Sequence, residues 1–264
     1  MKDYKIIDIH IHPHIGVHHK SYLPITSEDI LTELKHYGYY KTCGSVVNGR
    51  NLNPTWEYIK DLNDQALKLR DFYEDFYIPG FHIHPNFVKE SIEEVERMHN
   101  LGVNLVGEIV PYLHGWSFRN ADKNLYDILE ACDHYKMIVD IHAIANDEET
   151  HDKMDEMVSR FKNMAFIGAH PHEGYTLERA FKRMEKCDNY YLDWSGGGLF
   201  RHGTLRHAID LFGKERQLFG TDYTLYNVGM YVGAVAFDFL LSEEEKEYVF
   251  HKNACRLLGL EEKI

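Results

Sequence analysis

Short apolar runs of strand character alternate eight times with amphipathic stretches of helical period along the 264 residues, with no linker, repeat or low-complexity segment between them. The runs fall at 5–12, 41–48, 77–82, 103–110, 137–142, 165–170, 190–194 and 217–222. Between them one helix is capped by Thr26 or Ser27 and stopped by Gly38, and another opens at Asn53-Pro54. Further helices are expected at 86–100, 121–134, 147–161, 175–187 and 201–212. A last helix opens on the capping box Ser242-x-x-Glu245 and ends at Gly259. Eight such units in series imply an α/β fold, a closed (β/α)8 TIM barrel, with 1–264 as a single domain. An open doubly wound sheet would place a Gly-rich phosphate loop after its first strand, and 13–26 contains no G-x-G-x-x-G. The triplet Gly196-Gly197-Gly198 lacks the Lys-Ser/Thr of a P-loop and reads as a flexible turn.

In this architecture the reacting groups stand at the carboxyl ends of the strands. The first strand reads Ile7-Asp8-Ile9-His10-Ile11-His12, so alternation puts three isoleucines on one face and Asp8, His10 and His12 on the other. A buried polar row needs a partner, and a divalent metal satisfies two neutral imidazoles at once. With 18 histidines in the chain, His-x-His also arises by accident, at His82/His84 and His170/His172 for example. The strand ends, however, collect His10, His12, His82, His84, Glu108, His142, His170, Asp193 and Asp222, nearly all of them metal-ligand types. His36, His99, His134 and His207 fall on helices instead. The set at the strand ends is a constellation, and it points to a metal centre.

Composition narrows the partners. A formal charge of −13 without a Lys/Arg cluster argues against nucleic acid or an anionic membrane as the natural partner. The four cysteines are far apart and form no Cys-x-x-Cys, which reads as free thiols in a reducing compartment. The most apolar run, 228–241, is too short to span a bilayer and contains Asp238. A strand begins almost at the amino terminus, with no room for a signal peptide. The expectation is a cytoplasmic protein acting on a small molecule, with homo-oligomer formation left open.

The residues at the strand ends resemble the amidohydrolase superfamily. Asp8-x-His10-x-His12, His142 ending the fifth strand, His170 ending the sixth and Gly220-Thr221-Asp222 ending the eighth carry the likeness. The closing Asn253-Ala254-Cys255-Arg256-Leu257-Leu258-Gly259 is similar to the tail of its amidohydrolase-related branch, which includes aminocarboxymuconate-semialdehyde decarboxylase, resorcylate-type decarboxylases and pyrone-dicarboxylate lactonase. The resemblance implies the barrel a second time. It implies that His10, His12 and Asp222 bind one metal ion, most often zinc in that family, with Mn2+ or another divalent ion as the alternative. In single-metal relatives the counterpart of His142 joins that ion and the counterpart of His170 is an acid or base. In two-metal relatives both bind a second ion and a carboxylate, here Glu108, bridges the pair. Six candidate ligands exceed what one tetrahedral zinc needs, which favours two ions.

A metal held by imidazoles and a carboxylate lowers the pKa of its water from 15.7 to about 7. Asp222 would then take the proton, and His170 would polarise the carbonyl or bind metal. The leading expectation is a metal-dependent hydrolase of an amide, lactone or ester. The alternative is a metal-dependent lyase that decarboxylates or hydrates a small carboxylic acid. TatD-type nucleases share the fourth-strand Glu, but the −13 charge and Gly220 in place of a Glu speak against them. Deaminases usually carry a Glu where Ala145 stands, and a non-catalytic metal module would not need an open barrel mouth. Asp8 is read as structural, His82 and His84 as polar lining or substrate contacts, and Arg50, Arg119 and Arg201 as loop arginines within reach of a substrate carboxylate. Tyr112, Trp116 and Trp194 could wall the pocket, and His14, His18 and His19 sit in a first loop that could act as a lid.

Overall fold

The computed structural model describes residues 4–18, 23–120, 122–172 and 174–260. Eight strands form one parallel sheet in chain order: β1 Ile6–Asp8, β2 Tyr39–Gly44, β3 Tyr77–Phe81, β4 Leu105–Ile109, β5 Ile138–His142, β6 Ala165–Ala169, β7 Tyr190–Asp193 and β8 Gln217–Leu218. The sheet curls back on itself. Ile9 N–H donates to Phe219 O (2.9 Å), Asp222 N–H donates to His10 O (2.9 Å), and Ile11 bridges Tyr223, so the last strand meets the first and the barrel closes. The expected TIM barrel is the observed fold.

Helices fill the crossovers: α1 Ser27–His36, α2 Trp56–Tyr73, α3 Val88–Asn100, α4 Asp122–His134, α5 Glu148–Arg160, α6 Tyr175–Lys186, α7 Thr204–Phe212 and α8 Val228–Ala236. Thr26 is the cap of α1: its Oγ1 accepts from Asp29 N–H while the Asp29 carboxylate accepts from Thr26 N–H. The box at Ser242 and Glu245 opens the closing segment Glu243–Glu247, which runs through a π turn at Tyr248–Lys252 into Asn253–Leu258, and Gly259 ends it in the left-handed conformation. Ala121 and His19, named from the sequence, lie outside the described residues. Two features were not expected: a small antiparallel hairpin pairs Val17–His18 with Ile25–Thr26 inside the first loop, and the apolar run at 228–241 begins with α8.

The strands are shorter than their apolar runs, and the shortfall lies mostly at the mouth. β1 stops at Asp8 and β8 at Leu218, because the Asp8 carboxylate takes the N–H of His10 (3.0 Å) and of Thr221 (3.2 Å) that a regular ladder would use. β2 stops at Gly44, whose φ of +145° and position against Ile11 leave no room for a side chain: a Cβ there would lie 1.9 Å from Ile11 O. In β4 the register slips between Val106 and Ile109, a bulge that re-aims Glu108. Beyond the ends of β6 and β8, His170 and Asp222 hold φ of 58° and 59°, rare for residues with a side chain. Such backbone persists where the surroundings over-determine it.

Ile7 and Ile9 are fully buried with Cys43, Leu105, Ile138 and Ile167, against which Ala254 and Cys255 of the closing helix pack; Ile11 joins the larger apolar cluster. All four cysteines are buried and none forms a disulfide. Among the described residues no helix is long and apolar enough to cross a membrane.

Candidate metal centre

The expected ligands converge. His10, Glu108, His170 and Asp222 are buried, and His12 and His142 are nearly so. Their atoms form three overlapping groups, each compact enough to surround a cation: His10, His12 and Glu108; His10, His170 and Asp222; and Glu108, His142 and His170. Glu108 stands between. Its Oε2 lies 3.3 Å from His12 Nε2 and 3.5 Å from His10 Nε2, while its Oε1 lies 2.8 Å from His142 Nδ1 and 3.1 Å from His170 Nε2.

The hydrogen bonds behind the rings decide which nitrogen carries a proton. His12 Nδ1 is 2.9 Å from Ser45 O, and a carbonyl only accepts, so Nδ1–H donates and Nε2 of the neutral ring is a bare lone pair. His10 Nδ1 lies 2.8 Å from Asp193 Oδ2 and 3.3 Å from Asp140 Oδ2, charge contacts whose alignment falls short of a good hydrogen bond. Its proton belongs on that side too. The two Nε2 atoms then face each other at 3.2 Å, which two lone pairs tolerate only with a cation or proton between them. Ser45 serves twice, because its Oγ also accepts from Glu108 N–H at 3.0 Å.

Electrostatics say the same. Glu108, Asp140, Asp193 and Asp222 have no Lys or Arg partner among the described residues; the groups beside them are imidazoles. Burial opposes a charge on His10, yet Glu108, Asp140 and Asp193 outweigh it and hold its pKa well above 6.5. Burial likewise opposes a charge on Glu108, but His10, His142 and His170 keep it well below the usual carboxylate range. Burial pushes Asp140 up to about 6 and Asp8 up to about 7. His170 is raised by Glu108 against the effect of burial. Asp222 Oδ1 is buried with no hydrogen-bond partner among the described residues. A pocket of bare imidazole nitrogens, carboxylates and an orphaned oxygen fits a divalent cation.

A cavity of about 290 Å³ opens on this cluster. His12, Glu108, His142, His170 and Asp222 form its polar side, and Val47, Val110, Tyr112, Leu113 and Leu225 supply much of the rest. The Tyr112 ring meets His142 edge-on at 5.3 Å, so this aromatic does wall the pocket.

Residues 7–260 match the family model described as amidohydrolase. The chain belongs to the amidohydrolase family. Within this amidohydrolase barrel the solved structures agree on the fold. An uncharacterized TIM-barrel protein from Bordetella bronchiseptica is similar at TM-score 0.73 and 19% identity, over 97% of this chain and 99% of that one. 2,6-Dihydroxybenzoate decarboxylase from Rhizobium is similar at TM-score 0.75 and 16% identity, over 97% and 99%. 5-Carboxyvanillate decarboxylase from Novosphingobium aromaticivorans, solved with manganese and 4-hydroxy-3-methoxy-5-nitrobenzoic acid, is similar at TM-score 0.69 and 14% identity, over 88% and 79%. No curated protein matches.

Other residues flagged from the amidohydrolase sequence fall elsewhere. His82 and His84 turn away from the cavity: His82 Nε2 donates to Val46 O (2.8 Å), His84 Nε2 donates to His114 O (3.0 Å), and the His82 and His114 rings meet at 90°. Asp8 ties His10 N, Thr221 and Tyr39 together, a structural role. Trp194 is buried with its Nε1–H on Gln217, and Trp116 packs on the core. Arg119 pairs with Asp147 and Glu149 on the surface, and Arg50 is exposed near Tyr112. His14 Nε2 contacts Ile25 O at 3.2 Å. Sequence reasoning overlooked Asp140, Ser45 and Ser195. Asp140 had a signal, since it precedes His142 by two residues on the same face of a strand; the serines had none.

Proposed function

We propose that this chain is a metal-dependent lyase that decarboxylates a small carboxylic acid with a flat, apolar body. The observation that carries the reading is the cavity itself, a cation-binding cluster on one side and an apolar lining of Val47, Val110, Leu113 and Leu225 around the remainder. Two structural relatives with the same barrel are decarboxylases of hydroxylated aromatic acids, which supports that choice over hydrolysis. The donor set suits Mn2+ or Zn2+. His10, His12 and Asp222, whose facing atoms lie 3.2–3.9 Å apart, would hold one ion, and Glu108, His142 and His170 a second. When bound, the cation supplies positive charge that draws the substrate's carboxylate or neighbouring oxygen into place and withdraws electron density from it.

The chain's own residues do the rest. The apolar walls exclude water and favour spreading the carbanion's charge into the substrate body. Asp222, which lines the cavity with its Oδ1 unpartnered among the described residues, would take a proton from the acid or from solvent and hand it on. The C–C bond to the carboxylate breaks, CO2 leaves, and the electron pair left on carbon takes that proton. Tyr112 bounds the slot over His142 and sets its thickness.

Hydrolysis of a lactone, ester or amide is the second reading, favoured by the division of Glu108's two oxygens between the His10/His12 side and the His142/His170 side. That arrangement suits two cations and an attacking water. The test is turnover in D2O by protein reconstituted with Mn2+ or Zn2+, using one panel of small hydroxylated aromatic acids and one of lactones, esters and amides. Release of CO2 with deuterium on the vacated carbon supports the lyase. Ring opening or ester cleavage without CO2 release replaces it with the hydrolase.

A further inference from the structure

Asp193 is fully buried, 2.8 Å behind His10 through its Oδ2. The same oxygen accepts from Ser195 Oγ–H at 2.6 Å. With its proton given to Asp193, the Ser195 oxygen must accept from the ring nitrogen 3.0 Å away, His170 Nδ1. One carboxylate oxygen therefore stands behind two imidazoles, His10 directly and His170 through a hydroxyl. Each of the two rings turns its Nε2 towards Glu108, at 3.5 Å and 3.1 Å. Oδ1 is used as well, accepting from Ser195 N–H at 3.0 Å, which locks the serine in place.

The neighbouring backbone leaves space for this device and for nothing larger. A Cβ on Gly220 would lie 1.9 Å from Asp193 Oδ1 and 3.0 Å from His10 Cβ. A Cβ on Gly196, at φ +57°, would lie 2.4 Å from His170 Nδ1. Both glycines sit where the relay passes closest to the main chain.

We propose that Asp193 is a positioning residue that fixes the ring orientation and tautomer of His10 and His170 together, the second through Ser195, and so couples the two halves of the metal centre. It touches neither the cavity nor a reacting atom. The inference rests on the metal reading above, and the experiment separates the two.

Zinc affinity and stoichiometry are measured by chelator competition for the full chain, for Asp193→Asn and for Ser195→Ala. The imidazole N–H resonances are followed by NMR with and without zinc. Asp193→Asn keeps the size of the side chain but removes its charge and replaces one carboxylate oxygen with an NH2 donor, so His10 and Ser195 can no longer both face an acceptor, and binding weakens about 10- to 100-fold in both halves. Ser195→Ala weakens only the half containing His170 and removes the slowly exchanging His170 Nδ1–H signal, which mere loss of stability would leave in place. Unchanged zinc affinity and an unchanged His170 signal in Ser195→Ala overturn the relay, even if Asp193→Asn does not fold. If the unsubstituted chain takes up no zinc, the metal reading falls. The His170 Nδ1–H signal in metal-free protein then still decides the relay, upheld if Ser195→Ala abolishes it and overturned if it persists.

Discussion

Acid should destabilise this protein through a histidine that lies outside the candidate metal centre. His82 is buried, its Nε2–H is committed to Val46 O, and its backbone is gripped on both sides by Asn63, which accepts from His82 N–H (2.7 Å) and donates to His82 O (3.0 Å). Burial, with a contribution from His12, lowers its pKa from 6.5 to about 4. The folded state therefore binds fewer protons than the unfolded chain between those values. Stability from this group is complete above pH 6.5 and lost as pH falls towards 4. At 1.36 kcal/mol per pH unit, the interval of 2.5 corresponds to about 3.4 kcal/mol. Asp8 and Asp140, raised by burial to about 7 and about 6, work in the opposite direction, and His114, lowered by burial to about 3, works in the same one, so the total profile mixes all four. The substitution His82→Gln isolates the histidine, because the amide still reaches Val46 O and does not titrate. Urea midpoints of metal-free protein from pH 7 to 4 should give a gap between the two proteins that closes or reverses by about 3 kcal/mol. A gap constant across that range would refute the assignment of His82 as a buried neutral group.

Asp222→Asn should leave the fold intact and, measured at saturating metal, lower kcat by about 10²- to 10⁴-fold, because the amide neither accepts nor delivers the proton; near-normal turnover with metal bound would count against Asp222. Gly44→Ala puts a Cβ 1.9 Å from Ile11 O at φ +145° and should destabilise the barrel by about 3 kcal/mol or more, read from urea midpoints. A stability within 1 kcal/mol of the parent, on that same scale, would mean the β1–β2 approach is looser than described. Tyr112→Ala removes the ring over His142 and should raise KM for a flat aromatic acid several-fold with a smaller change in kcat; equal KM values would place the substrate body elsewhere in the cavity.

The eightfold alternation was legible because strand period, helix period and caps agree along the chain, and each expected strand and crossover helix has its counterpart. The cluster of imidazoles and carboxylates at the barrel mouth was legible for the same reason. Period-two alternation carries His10 and His12 to one side even though β1 itself ends at Asp8. Strand ends were less legible, because they depend on side chains competing for backbone N–H groups, as Asp8 does for His10 and Thr221. His82 and His84 share the His-x-His spacing, yet Asn63 and Ser91 anchor their backbone from neighbouring helices and their rings bond to carbonyls of other loops. Spacing within one strand cannot report such long-range partners. The Asp193–Ser195–His170 chain is hidden likewise, since it joins two strands through a serine indistinguishable in sequence from any other.

If His10, His12, His142, His170 and Asp222 hold two cations, Glu108, whose two oxygens face the two sides of the cluster, would be shared between them. Metal analysis of the full chain after reconstitution with zinc or manganese and removal of loose ions tests it directly, run beside Glu108→Gln. Two equivalents per chain are expected, falling to one in Glu108→Gln with the ion at His10 and His12 retained. One equivalent unchanged by that substitution would contradict the bridge, and none in the unsubstituted protein would contradict the metal centre itself.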